Sequence, residues 1–366
     1  MVNKMTNEIE TIEAQDEVQF YGDKELRWYQ VACGNHAISD IEKGLKRILI
    51  VLPTGTGKTL TVVNLLCDPR LASVLGVNNR KLRVLYVAHL GRLLTQAERT
   101  FADENNIELI LQSMMSPIPE QVMEAGFDIV VMDEAHHEAA TSMQYQLDRI
   151  ADKPFIGLTA TPDRADGMVI KFQSIINPLS REQAVSEGYL AETYLHTFVD
   201  GSERSKSEVV KDILNGYADK MEGTLIFVRT KKEVTEITRF LKERNYKAVA
   251  LLNQSNDELN ELLDQFSNKE IQFLVSCKKI SEGIDVKNCS DVVIGQTVGS
   301  YPLLNQIIGR AARPDCDCRI WEIVNPLAYR NLDTTVVTGI PKEHKLVYVA
   351  NNEWVEEVFN YSAHTL

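Results

Sequence analysis

The sequence predicts an α/β protein in which two doubly wound parallel-sheet domains follow one another. Three observations predict it. Apolar runs of strand length, each followed by a helix-like stretch, recur in two series; the runs are continuous in Val, Ile and Leu; and a polar interval separates the series. Continuous runs without polar alternation suit strands covered on both faces, which is how parallel sheets in α/β folds read. At 366 residues the chain has room for roughly two or three domains, each with its own core.

The first series comprises Ile48–Leu52, Leu82–Ala88, Ile107–Leu111, Ile129–Met132 and Phe155–Thr159. The second comprises Thr224–Val228, Ala248–Leu252, Gln272–Ser276, Asp291–Ile294 and Trp321–Val324. Residues 1–17 have little apolar periodicity and are expected as a flexible N-terminal arm. Domain 1 is expected over 18–195. A linker is expected over 196–215, where Asp200-Gly201-Ser202 and several charges interrupt the rhythm. Domain 2 is expected over 216–330, with 331–366 as a C-terminal extension holding a strand at Lys345–Ala350 and a helix at Glu353–Tyr361.

Composition excludes several classes. With 44% hydrophobic and 25% charged residues, the chain is ordinary globular material. No stretch approaches the roughly 20 apolar residues that span a bilayer, and the polar start is no secretory signal, so a cytoplasmic protein without membrane contact is expected. The six cysteines are scattered and expected to be reduced; Cys316-Asp317-Cys318 has poor zinc spacing and reads as a loop. A net charge of -13 means that any polyanion must bind at a local patch, with the remaining surface repelling it.

Ile48–Leu52 runs directly into Pro53-Thr54-Gly55-Thr56-Gly57-Lys58-Thr59 and then into the helical stretch Leu60–Cys67. Strand, glycine loop and helix in that order make a phosphate-binding loop. Gly55 and Gly57 let backbone N–H groups converge on phosphate oxygens, Lys58 brings a cation to the β and γ phosphates, and the Thr59 hydroxyl can ligate Mg²⁺. Leu52 stands where the strict motif has its first glycine. A second apolar run ends in Asp133-Glu134-Ala135-His136-His137. Strand-end carboxylates sit where doubly wound folds bind ligands; Asp133 suits the metal shell and Glu134 suits activation of a water.

Val131-Met132-Asp133-Glu134-Ala135-His136-His137, followed by Gly157-Leu158-Thr159-Ala160-Thr161-Pro162, resembles the DEAH-type superfamily 2 helicases and translocases, in particular the XPB-like and RadD-like group and the motors of some restriction enzymes. The resemblance runs from Leu26 to Arg313 and implies two tandem RecA-like domains with ATP and Mg²⁺ in the cleft between them. Leu26-Arg27-Trp28-Tyr29-Gln30 resembles the adenine-reading segment, which implies cofactor roles for Arg27 and Gln30 beside Thr54, Gly55, Thr56, Gly57, Lys58 and Thr59. His89 with its neighbours, and Gln112-Ser113, resemble strand-gripping segments. His136, Thr159 and Thr161 match residues that couple hydrolysis to domain movement.

In the second series, Leu225–Thr230 resembles a motif delivering Arg229 and Thr230 to nucleic acid. Phe273–Asp285 resembles the motif in which Gly283 and Asp285 approach the nucleotide and Ser276 and Cys277 face the strand. Cys277 stands where the family has threonine, and a thiol donates more weakly than a hydroxyl. Gln306, Gly309, Arg310 and Arg313 fall on one helical face and match the motif that aims two guanidiniums at the γ-phosphate. The expected catalytic set is therefore Lys58, Asp133, Glu134, Gln306, Arg310 and Arg313. The resemblance implies a monomeric nucleic-acid-dependent ATPase, on DNA rather than RNA, that unwinds or translocates. A remodelling or annealing subunit dependent on a protein partner remains open beside it.

Overall fold

Strands of Val, Ile and Leu character form two largely parallel sheets, and the computed structural model packs helices against each. It describes residues 20–21, 24–77, 79–88, 91–102, 104–135, 149–160, 172–201, 204–277, 286, 288–298, 301–309, 311, 316–326, 334–338, 341–350 and 353–360. The expected arm, 1–17, lies outside them.

After a two-stranded pair, β1 (Phe20–Tyr21) and β2 (Lys24–Glu25), the first lobe contains α1 (Trp28–Glu42), β3 (Arg47–Val51), α2 (Lys58–Cys67), α3 (Pro69–Val74), β4 (Leu82–Ala88), α4 (Gly91–Thr100), β5 (Ile107–Ser113), α5 (Glu120–Ala125), β6 (Ile129–Met132), β7 (Phe155–Thr159), β8 (Ser174–Ile176) and α6 (Arg181–Ser186). Its six-stranded sheet has the order β5-β4-β6-β7-β3-β8, with every pairing parallel. Period-two alternation divides each strand between two cores. Ile48, Ile50, Val84 and Tyr86 pack with Tyr29, Val62 and Leu66 on one face, while Leu49, Val51, Leu85 and Val87 pack with Met132 and Phe155 on the other.

The second lobe contains β9 (Thr193–Val199), α7 (Lys206–Tyr217), β10 (Thr224–Val228), α8 (Lys231–Lys242), β11 (Ala248–Leu251), α9 (Asn256–Ser267), β12 (Phe273–Ser276), β13 (Asp291–Gly295), α10 (Tyr301–Ile308), β14 (Cys318–Val324), α11 (Thr335–Thr338), β15 (Glu343–Ala350) and β16 (Glu353–Asn360). The strand order is β11-β12-β10-β13-β14-β9-β15-β16. Helices α7, α8 and α9 each start with a reciprocal box, Ser205 with Glu208, Thr230 with Glu233 and Ser255 with Glu258, which satisfies N–H groups that a helix start leaves free.

Four expectations need correction. The interval 196–215 is not a linker: β9 pairs in parallel with β14 from Thr193 to Val199, and α7 buries Val209, Val210, Ile213 and Leu214 against the same sheet. Residues beyond 330 are not an appendage, because β15 pairs with β9 and extends that sheet. Glu353–Tyr361 is not a helix. Its Trp, Val and Phe residues favour a pleated surface, and 353–360 pairs antiparallel with β15 along its whole length. Cys318, expected in a loop, opens β14.

An aromatic layer lies over the neighbouring strands β14 and β9 of this sheet. The His196 ring on β9 stacks on Trp321 with centroids 3.9 Å apart and planes 10° from parallel, and Tyr217 of α7 lies 4.8 Å from Trp321. Burial, reinforced by Lys345, Arg319 and His344 and opposed by Glu356, pushes the imidazole down to about 3. An unfolded histidine titrates near 6.5. Between those values the unfolded chain binds a proton that the folded chain refuses, so His196 stabilises the fold above about 6.5 and loses that contribution as pH falls towards 3. The loss is expected to reach about 1.4 kcal/mol per pH unit. His196→Phe, which keeps the stack, should remove this component. Urea unfolding of both proteins from about pH 7 to pH 5 checks it, and parallel pH profiles would count against it.

Candidate nucleotide site

The phosphate loop joins β3 to α2. Gly55 and Gly57 take φ of 92° and 89°, the left-handed region that glycine enters without strain. Thr56 between them is fully buried and faces inward: its hydroxyl donates to Pro53 O at 2.7 Å, and its carbonyl accepts from Tyr29 Oη at 2.7 Å and from Gln30 Nε2 at 3.3 Å. Thr56 is thus an anchor of the loop rather than a side chain offered to a ligand. Gln30 is also inward, with Oε1 accepting from Arg27 N–H at 3.0 Å, and it is 2% exposed. Lys58 Nζ rests on Leu52 O at 3.4 Å, folded onto the carbonyl of its own loop. Leu52 N–H donates to Thr159 O at 3.1 Å, tying the loop to the end of β7, where Thr159 is fully buried.

Asp133 follows the last residue of β6, in the slot beside the loop. Its backbone N–H donates to Val87 O at 2.9 Å, Tyr86 Oη donates to Oδ2 at 3.4 Å, and Glu134 N–H donates to Oδ1 at 3.0 Å. Burial, with Glu134 adding to it, pushes the Asp133 carboxyl up to about 6, and Lys58 pulls it back. Glu134 takes φ of 52°, a left-handed conformation that non-glycine residues adopt at a cost and that is concentrated at working sites. Two adjacent carboxylates that repel each other, with one facing the start of α2, fit a divalent cation. Asp133 and the half-buried Thr59 are the residues that would hold Mg²⁺.

The opposite wall comes from the second lobe. Gly309, directly after α10, is buried against Thr54: a Cβ there would lie 2.7 Å from Thr54 Cβ and closer still to its methyl. Gln306, one turn earlier, is half-buried. Arg310, Arg313, Gly283, Asp285, His89, His136 and Thr161 lie outside the described residues.

The expected strand-contacting residues separate into two groups. Arg229 is exposed and Cys277 half-buried, and the register Phe227 to Ser276 puts them just beyond the ends of neighbouring strands β10 and β12. Ser113 ends β5 in register with Ala88 and is half-buried. Of the others, Gln112 and Ser276 are buried, while Thr230 is exposed and occupied in capping its own helix. Gln112 braces the turn after β5 by donating to Ser113 O at 2.8 Å and Ser116 O at 2.9 Å. Thr230 caps α8, its hydroxyl accepting from Glu233 N–H at 3.2 Å. Ser276 is fully buried, with its hydroxyl unbonded. Sequence reading also missed Tyr29 and Tyr86, although the tyrosine directly before Gln30 was a visible signal.

With this geometry in place, the comparisons with known proteins fall into line. Residues 23–110 and 105–164 match the model of the type III restriction enzyme res subunit, and residues 205–315 match the helicase conserved C-terminal domain. An *Escherichia coli* type I restriction enzyme EcoAI endonuclease subunit is 26% identical over 80% of this chain, which spans only 44% of that protein. The DNA 3'-5' translocase XPB2 of *Sulfurisphaera tokodaii* is 21% identical over 79% of this chain and 78% of its own. A fragment of an HsdR-type subunit of a type I restriction enzyme from *Vibrio vulnificus* superimposes with a TM-score of 0.72 at 22% identity, over 90% of this chain and 70% of that one. The two halves thus match, in order, a restriction-enzyme res-subunit model and a helicase C-terminal model, and the fold is the tandem RecA-like one.

Proposed function

We propose that the chain is a nucleic-acid-dependent ATPase that translocates on DNA, hydrolysing ATP between its two lobes. One observation carries most of the reading: Gly309, next to the two arginines of its motif, abuts the phosphate loop at Thr54. A triphosphate on Lys58 would then have the first lobe on one side and the arginine-bearing segment on the other.

In this reading the N–H groups around Gly55 and Gly57 receive the phosphates, and Lys58 leaves Leu52 O to join them. Thr59 and Asp133 are the residues that would hold Mg²⁺, which would supply positive charge against the phosphoryl oxygens. Glu134 takes a proton from water as the water oxygen bonds to the γ-phosphorus, and the bond to the bridging oxygen breaks to release ADP and phosphate. Arg310 and Arg313 neutralise the charge that develops. ATP favours closure because it touches both lobes, and loss of the γ-phosphate removes that preference. Arg229, Cys277 and Ser113 at the C-terminal strand ends supply a path for the strand, where doubly wound sheets bind ligands.

A second reading, a remodelling or annealing subunit that needs a protein partner, is favoured by one fact: the *E. coli* relative is named as a subunit, and the chain spans less than half of it. Among the described residues no helix is long and apolar enough to cross a membrane.

Lys58→Ala should abolish ATP turnover, and Glu134→Gln should bind ATP and DNA together but turn over at least about a hundredfold more slowly. Steady-state turnover and DNA retention check both; unchanged turnover in Glu134→Gln would remove its role as base. Gly309→Ala should wedge the lobes apart and, like Arg313→Ala, spare ATP binding while removing stimulation by DNA. Normal stimulated turnover in Gly309→Ala would count against the shared cleft. Finally, ATP-dependent displacement of a triplex-forming strand without displacement of a duplex strand is expected of a translocase, whereas duplex displacement would establish unwinding. Activity only with added cell extract would favour the subunit reading.

A further inference from the structure

The phosphate loop has an unusual mechanical layout. Its two freely rotating residues, Gly55 and Gly57, flank one fixed point, so the direction of their N–H groups depends on what holds Thr56. Two of the bonds at Thr56 are local, from its N–H and its hydroxyl to Pro53 O. The other two reach in from α1 and fill its carbonyl: Tyr29 Oη at 2.7 Å and Gln30 Nε2 at 3.3 Å.

The Tyr29 bond is the shorter, and its direction is determined. Arg27 Nη1 donates into the phenol oxygen at 2.9 Å, and Arg has no acceptor, so the phenol proton is left to point at Thr56 O. The ring itself is fully buried. Arg27 in turn lies over the Tyr189 ring at 4.7 Å, and Tyr29 meets the same ring edge-on at 5.3 Å. Tyr189 lies four residues before Thr193, where β9 of the second lobe begins.

We propose that Tyr29 is a positioning residue for the phosphate loop, its hydroxyl passing the position of Arg27, seated on Tyr189, to the Thr56 carbonyl. Resting on the reading of residues 53–59 as an ATP site, the inference goes beyond it by assigning affinity for the triphosphate to a side chain that need not touch it. Removing the hydroxyl unpins the loop before ATP arrives, and binding must then order it.

The test is Tyr29→Phe, which keeps the ring and its packing. KM for ATP, and the Kd of a fluorescent ATP analogue with Mg²⁺, should rise roughly fivefold, the equivalent of one buried hydrogen bond, while kcat stays within about twofold. Arg27→Met should raise KM in the same direction, and the double variant should be no worse than the weaker-binding single variant, since both act through one hydroxyl. A residue that only packs would alter thermal stability or kcat and leave KM in place, and that outcome overturns the proposal, as does full additivity in the double variant. If wild-type turnover depends on Lys58 but Tyr29→Phe keeps its KM, this inference alone fails. If no turnover depends on Lys58, the ATP-site reading fails and takes this one with it.

Discussion

The missing side chain at Gly309 is the constraint on which the arrangement of the two lobes turns. Buried against Thr54, it leaves no room for even a methyl group, so the backbone at the end of α10 packs directly on the Thr54 side chain of the phosphate loop. Any larger residue would hold the lobes apart by its own width. Every function assigned to the cleft depends on groups from both lobes reaching one triphosphate, and reach falls off over a few ångström. Glycine here follows from a close approach, not from a turn.

The electrostatics of the cleft complement that contact. A protein of net charge -13 must bind a polyanionic nucleotide next to two carboxylates. Asp133 is buried, and its pKa lies near 6 because burial and Glu134 outweigh Lys58. A divalent ion held by Asp133 and Thr59 would offset that charge deficit. Lys58 is held close by a long bond of 3.4 Å to Leu52 O, which it gives up on moving to a phosphate. Under the proposed function, the acidic exterior would keep nucleic acid off the remaining surface.

Much of this was legible in the sequence because it is local. Continuous apolar runs located the strands, and glycine spacing located the loop, since Gly55 and Gly57 do adopt the backbone that only glycine takes easily. What failed was topological. Nothing in Thr193–Val199 states which sheet it joins, and its place beside β14 is decided by contacts more than a hundred residues away. Trp354, Val355, Val358 and Phe359 also satisfy a helical pattern, and only pairing with β15 makes the strand. For the site, motif position identified Gln30, Thr56 and Gln112 but not their orientation. Each is a polar side chain that found a backbone partner inside the fold, a choice invisible to spacing.

The residues that bond the backbone share a physical reason. The C-terminal ends of parallel strands leave backbone carbonyls and N–H groups without ladder partners just where loops must carry function. Gln112 satisfies Ser113 and Ser116, Thr230 satisfies the start of α8, and Gln30 satisfies Thr56. Each keeps a loop still, leaving an outward side chain such as Arg229 on a fixed base. Motif residues in such a protein therefore divide into those that meet the ligand and those that hold the backbone beneath it. The second kind is needed because loops built on glycine are free to move until something pins them.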